Sequence, residues 1–294
     1  MSKPHSHDAG ATVRQLPVRL APFADELLSS WLCRHATFYA VPPLVMLQHC
    51  LPEVASLRAA DLDLSAVQAS RLANAFSMAP GAVRAMTFAT VNKASRRLIG
   101  AKPLQACLHC RPALLESGPI LRSQLLGWRV TCPLCGGFLN DPDGSVVASR
   151  FLKYRQAAFH GERLLDAEAE HGKWTWASPV GIARLLLMRR VPRPLPADGE
   201  FWRFRVLGAI IPEFDDLVAA EPGSLPRSGT PTLPLGLRPA LLAGVAIVDR
   251  AGPGILPMLQ KHTMGDNRTR FGDLADKSMA DARKPRQFLQ WQLI

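Results

Sequence analysis

Two cysteine pairs, Cys107-Leu108-His109-Cys110 and Cys132-Pro133-Leu134-Cys135, constrain this chain more than any other feature. Each C-x-x-C fits a short turn that aims two thiolates at one point. Two such turns about twenty residues apart complete a tetrahedron of soft ligands, the spacing of a zinc ribbon. Four cysteines saturate a zinc ion and leave no open position for water, so the expected site is a single structural Zn2+. Disulfides are the alternative, but nothing in the sequence looks secreted. His109 lies within the first knuckle and competes as a ligand; with four thiolates at hand it is expected to face solvent. Gly136-Gly137 lets the backbone turn tightly beside the second pair.

A length of 294 residues at 48% hydrophobic allows about two globular domains with real cores. Leu and Ala are abundant and aromatics make up only 7%, which favours helices over a β-sandwich. The 25 prolines break those helices into short pieces. Met1 to Gly10 is polar, without the apolar stretch of a signal peptide, and Ala240 to Val248 is too short an apolar run to span a bilayer. A soluble cytoplasmic protein is expected.

The formal net charge of +11 is unevenly placed. Residues 1–83 are balanced, residues 84–190 carry an excess of nine positive charges, and residues 191–294 an excess of two. The cations therefore surround the cysteine pairs. A localised positive field points to a polyanion, most often nucleic acid, against the alternative of a merely solubilising surface; the expected partner is double-stranded DNA.

Residues 1–13 read as a disordered lead-in. Leu27, Leu28, Trp31, Leu32 and His35 form one apolar helical stripe, and Pro42-Pro43 opens a second short helix. Cys33 and Cys50 lack partners at ligand spacing and read as small hydrophobes. Ser65 and Gln68 make the S-x-x-Q of a capping box for a helix facing inward through Ala69, Leu72, Ala73 and Phe76. Pro80 suits the first turn of the next helix, which carries Val83 and Met86 inward and ends near Val91. Helix, tight turn, helix is the spacing of a helix-turn-helix, although many helical hairpins share it. Only Arg84 could contact a base from that second helix; Lys93, Arg96 and Arg97 suit phosphates, or else complement a helix C-terminus.

Leu121 to Leu126 is expected as a short helix and Trp128 to Thr131 as a strand feeding the second knuckle. Phe138 and Leu139 are expected to pack with Trp128 beneath the metal. Further helices are expected over Phe151–Glu170, Val180–Arg190 and Pro239–Val248. Trp174 and Trp176, beside Lys173, read as core residues or as a stacking platform for bases. Val191 to Pro196 and Pro222 to Pro239 look like linkers.

The order of these parts resembles the TniQ family of transposition proteins. Leu16-Pro17-Val18-Arg19, followed by Glu26-Leu27-Leu28-Ser29-Ser30-Trp31-Leu32-Cys33-Arg34, is similar to the family's opening run. The helix pair Leu72 to Phe88 follows, then the first knuckle, Trp128 before Val-Thr-Cys-Pro, and a small-residue turn ending at Leu139. The likeness covers residues 16–150. Many members end the second knuckle with histidine where this chain has Cys135, an equally good zinc ligand. Asp25 replaces the family's usual glycine before Glu26.

The resemblance implies a non-catalytic adapter that helps select target DNA and recruits an AAA+ ATPase regulator and transposase. Some members work beside a CRISPR effector complex, and a homodimer is plausible by analogy. The chain has no G-x-x-x-x-G-K-[ST] loop, no G-x-S-x-G elbow and no H-E-x-x-H pair, so no enzyme activity is expected. A scaffold that never reads DNA and a helix-turn-helix transcriptional regulator are the alternatives. The expected fold class is mainly α. A helix-turn-helix-like domain spans 14–100, a four-cysteine zinc-ribbon-like module 101–150, a C-terminal helical region with proline-rich linkers 151–276, and a basic, loose tail 277–294.

Overall fold

A computed structural model describes residues 15–110, 118–141, 151–188, 204–214 and 233–283. The lead-in 1–13, the Val191–Pro196 linker, most of Pro222–Pro239 and the end of the tail lie outside these residues. The described chain is mainly helical, and its only extended pairings are isolated bridges. Two compact units divide it: Met1–Thr90 with Leu114–Arg122, and Val91–Ala113 with Ser123–Ile294.

The first unit is built on α1 (Leu28–Phe38), whose apolar stripe buries Leu28, Trp31, Leu32 and Ala36 completely or nearly so. Around it pack α2 (Pro43–Cys50), α3 (Leu57–Asp63), α4 (Ala66–Ala75) and α5 (Pro80–Ala85). Prolines sit in the first turns of α2 and α5, where their missing N–H costs nothing. The capping box is complete: the Gln68 backbone N–H donates to Ser65 Oγ, and Ser65 N donates back to Gln68 Oε1. Ala69, Leu72, Ala73, Phe76, Val83 and Met86 are all buried. Cys50 is buried and Cys33 half-buried; burial raises both thiols, Cys50 to about 11, which leaves them inert.

The expected helix from Pro80 to Val91 is shorter than its pattern suggested. It stops at Ala85, where the Met86 amide turns onto the Val83 carbonyl and the Thr87 amide onto the Arg84 carbonyl, and Phe88 N is claimed by the Asp61 carbonyl of α3. A tertiary hydrogen bond here overrides local propensity.

The opening run that carried the family likeness proves to be internal scaffolding. Glu26, only 1% exposed, accepts from Arg34 Nε at 2.8 Å and from an Arg34 terminal nitrogen at 2.7 Å, a two-pronged pair one helical face apart. Arg34 also lies over the Phe23 ring. Ser30 Oγ donates to Glu26 and accepts from Ile120 N, which ties the returning segment to α1. Trp31 Nε1 donates to the Leu20 carbonyl, and Leu20 N donates to His35 Nε2. His35 is buried as the neutral ring, its pKa held low by burial. Asp25 stands at φ 60°, the left-handed region that glycine enters freely, which accounts for the usual glycine at this position.

In the second unit, α6 (Arg155–His171) and α9 (Arg238–Ala251) form the central pair, with α7 (Pro179–Leu186), α8 (Arg205–Gly208), α10 (Leu256–Gln260) and α11 (Asp266–Arg283) around them. Gly161 permits the crossing of α6 and α9: a Cβ there would fall 2.0 Å from the Leu242 carbonyl oxygen. α6 ends at Gly172, φ 55°, whose neighbour Lys173 donates back to Ala167. Glu168 accepts from Ser178 Oγ and from Val180 N, holding the start of α7. Leu121–Leu126 is a 3-10 turn over Arg122–Leu125. No strand forms at Trp128–Thr131, because only Thr131 and Phe138 pair there and the chain closes at once into the knuckle. Residues 277–283 are not loose but complete α11, where Ser278 is buried. Arg189 and Arg190 lie outside the described residues. Among the described residues no single helix is long and apolar enough to cross a membrane; only the bent pair Arg238–Ala251 and Pro253–Gln260 qualifies by length and composition.

Two outcomes test these assignments. Gly161→Ala raises intrinsic helix propensity by about 1 kcal/mol, but the clash with a backbone oxygen should dominate and cost about 3 kcal/mol or more; chemical denaturation reads the sign. Asp61 accepts from Ser29 N at 2.9 Å, and burial pushes its carboxyl up to about 6 from an ordinary 3.8. The folded state thus binds this proton more tightly than the unfolded state, and stability is lost as pH rises through about 6. Asp61→Asn keeps the acceptor and should raise the melting temperature at pH 7 while flattening the profile between pH 4 and 6. An unchanged profile would contradict this.

Candidate metal centre and cationic surface

Cys107, Cys110, Cys132 and Cys135 bring their four sulfur atoms within 4.8 Å of one another. The Cys107–Cys135 and Cys110–Cys132 separations are 3.4 and 3.8 Å, and every cysteine is free, so the disulfide alternative is set aside. Thiolates about 2.3 Å from one ion stand ~3.8 Å apart in a regular tetrahedron, so the donor set fits a metal of that kind. Local structure positions each sulfur. Gly136 N donates to the Cys132 carbonyl and Cys132 N to the Gly137 carbonyl, closing the second knuckle, with Gly136 at φ 71°. A Cβ on Gly137 would lie 3.1 Å from His109 Cδ2 and 3.3 Å from Cys135 Sγ, so this glycine makes room for the first knuckle. His109 is exposed, as expected.

The sulfurs differ in environment. Burial raises the Cys110 thiol strongly, reinforced by its three cysteine neighbours, and burial also raises Cys132. Cys135 is exposed and is lowered, first by the Gly137 amide. Packed thiolates repel one another, and a cation at their centre removes that cost.

The knuckles are fastened to the helical core by polar groups that sequence reasoning did not find. Trp128 Nε1 donates to Asp166 of α6 at 2.7 Å, and Arg129 pairs with Asp166 at 3.0 Å and with Glu162 at 3.4 Å. Thr131 Oγ1 donates to the Glu162 carboxylate at 2.9 Å. Burial nonetheless raises both carboxyls, Asp166 to about 6, with Arg129 opposing. From α9, Arg238 is 2% exposed and donates to the Arg129 carbonyl, to Gln105 Oε1 at 3.1 Å and to the Leu233 carbonyl. Gln105 in turn donates to the Ser123 and Leu126 carbonyls. Burial lowers Arg238 to about 10. Trp128 and Leu139 are buried, whereas Phe138, expected to be buried with them, is 40% exposed with its ring 5.6 Å from Phe159. Trp176 joins the core and donates to the Asp249 carbonyl.

The four cationic candidates are divided between the units. Arg84 is half-buried on α5, in the first unit. Lys93, Arg96 and Arg97 belong to the second. Lys93 and Arg97 are exposed, whereas Arg96 is half-buried and spends its Nε on the Val91 carbonyl at 3.1 Å.

Residues 17–145 match the family model described as TniQ. This chain carries a TniQ-family domain. No curated protein and no solved structure matches it. The TniQ match takes in the Glu26–Arg34 scaffold and all four cysteines, and it associates the chain with DNA transposition.

Cys132→Ser removes one of four ligands and exposes the Thr131–Glu162 contact to disruption. It should abolish stoichiometric metal and unfold the second unit rather than weaken it, since a structural zinc site supplies on the order of 10–16 kcal/mol against a whole domain's ~5–15 kcal/mol. Metal analysis and thermal melting decide; a variant that melts like the parent after chelation refutes the assignment.

Proposed function

We propose that this TniQ-family chain is a non-catalytic, zinc-stabilised DNA-binding adapter in transposition. It helps select the target site and recruits an ATPase regulator and transposase, and it acts in the cytoplasm. The observation that carries the reading is the family match over residues 17–145, which contains both cysteine pairs and Arg84, Lys93, Arg96 and Arg97. The four-sulfur cluster supports zinc as the ion, because four thiolates in a closed tetrahedron suit it and leave no position for catalysis. The cationic middle of the sequence supports contact with duplex DNA through phosphates.

One observation favours a second reading, a protein scaffold that bridges other DNA-locating machinery, such as an RNA-guided CRISPR complex, to the transposase. α5 is only six residues long and offers Pro80, Gly81, Ala82 and Ala85 as its exposed positions beside half-buried Arg84. Such a helix has little with which to read base edges. For the same reason the transcriptional-regulator alternative is weak.

Salt dependence separates adapter from scaffold. A protein neutralising about five phosphates should lose roughly 500-fold in duplex affinity between 50 and 200 mM salt. Fluorescence anisotropy with the full chain and a labelled duplex measures it. A scaffold gives weak, shallow binding to DNA and tight binding to its protein partners.

A further inference from the structure

An apolar cavity of about 210 Å3 lies between the second-knuckle hairpin, the start of α6 and the start of α9. Phe138, Leu139, Leu152, Phe159 and Leu235 are among its walls, and of the described lining residues all but Asn140 and Arg155 are apolar. Two of the apolar residues remain open to solvent: Leu152, on the 3-10 turn Leu152–Tyr154, is 64% exposed, and Phe138 is exposed as well. A cavity with an apolar wall and an apolar rim gains free energy when another apolar group fills it.

Arg155, the first residue of α6, stands at this wall and is exposed. Its guanidinium lies 4.3 Å from the centre of the Phe138 ring and 5.3 Å from that of Phe159. The two ring faces fix the group in place but leave its charge in full. Among the described residues Arg155 forms no ion pair, and no acidic residue stands in the first turn of α6. The Glu213 carboxylate is engaged by Lys153 and Tyr154.

Size and chemistry select the occupant. Pockets for cofactors and drug-sized ligands run to roughly 300–1,000 Å3, more than this cavity offers. A nucleobase brings donors and acceptors that need partners, yet Asn140 is the one neutral polar side chain at the cavity. Its amide nitrogen already donates to the Phe138 carbonyl at 3.4 Å. An aliphatic or aromatic side chain suits the space, and a carboxylate beside it suits the guanidinium. That combination belongs to an acidic peptide.

We infer that this cavity docks an acidic segment of a protein partner, with one apolar side chain filling it and a neighbouring carboxylate on Arg155. The inference rests on the partner-recruiting part of the reading above, gives that part a surface, and is independent of DNA contact.

The test uses the full chain and short fluorescent peptides, each carrying one Leu, Met or Phe flanked by Asp and Glu. Control peptides carry Ser at the apolar position, or Lys and Arg in place of the acids. Anisotropy titrations should show the apolar residue improving affinity about 10-fold or more over Ser, as burial of one side chain does. Arg155→Gln should weaken the acidic peptides about 3- to 5-fold, the range of an exposed ion pair. Arg155→Glu should make the basic peptides the better ligands. Leu152→Ser should weaken all apolar peptides about 3- to 10-fold. Both positions are exposed, so melting temperatures should stay close to the parent's, and if the Arg155 variants melt early Leu152→Ser decides. Equal binding of the Ser peptides, or acidic peptides indifferent to Arg155→Gln and Leu152→Ser, overturns the site. A parent that binds no peptide, but whose affinity for a single-stranded oligonucleotide falls in both variants, overturns it in favour of a base. Self-association lost in Leu152→Ser overturns it in favour of a second copy. If purified ATPase regulator and transposase bind parent and variants alike, recruitment stands without this surface. A chain that binds neither the peptides nor those proteins overturns both.

Discussion

Four sulfur atoms held within 4.8 Å of one another set the terms for the second unit. As thiolates they repel, and as thiols they leave two C-x-x-C turns with little to hold them closed. A tetrahedral cation would resolve both difficulties and fix the hairpin from Val130 to Leu139. That hairpin presents Trp128, Arg129 and Thr131 to Asp166 and Glu162 on α6. Both carboxylates are largely buried, and each would be an uncompensated charge without those partners. Arg238 completes the arrangement from α9, bonding to the Arg129 carbonyl and to Gln105. With a metal bound, ligation and helix packing would be parts of one cooperative structure.

The first unit uses a buried ion pair where the second uses sulfur. Glu26 and Arg34 are eight residues apart on and before α1, and the pair collects the Ser30 hydroxyl, the Ala21 carbonyl and the Phe23 ring. The residues that carry the TniQ likeness in this run, among them Glu26, Trp31 and Arg34, hydrogen-bond inward or pack in the core. Their similarity tracks a way of folding rather than a reactive centre.

What the sequence made legible is what depends on neighbours along the chain. The C-x-x-C turns, the Ser65–Gln68 capping box, the buried faces of α1 and α4, and prolines opening helices all arise from residues close together in sequence. The ties between knuckle and core escaped because they span distance: Arg129 meets Glu162 across 33 residues, and Arg238 meets Gln105 across 133. A buried arginine at the start of an apolar helix gives no local sign of its partner. The expected strand at Trp128–Thr131 failed for a related reason. Val130 and Thr131 favour extended backbone, but a strand needs a partner of matching length, and the knuckle supplies a single bridge. Residues 277–283 looked loose by their polarity, yet α11 is anchored by Phe271, Ala275 and Ser278 facing inward.

The division between holding and reading DNA follows from the same geometry. Sequence discrimination needs side chains long enough to reach base edges from a helix seated in the groove, and α5 brings six residues, three of them Gly or Ala at its exposed positions. Phosphate contact needs only positive charge presented on the surface, which exposed Lys93 and Arg97 would offer on the adapter reading. On the adapter reading, the described residues are better equipped to grip a duplex than to choose one. The choice of site would then come from protein partners, and the adapter and scaffold readings become two strengths of one mechanism: affinity for DNA set by this chain, address supplied by what it binds.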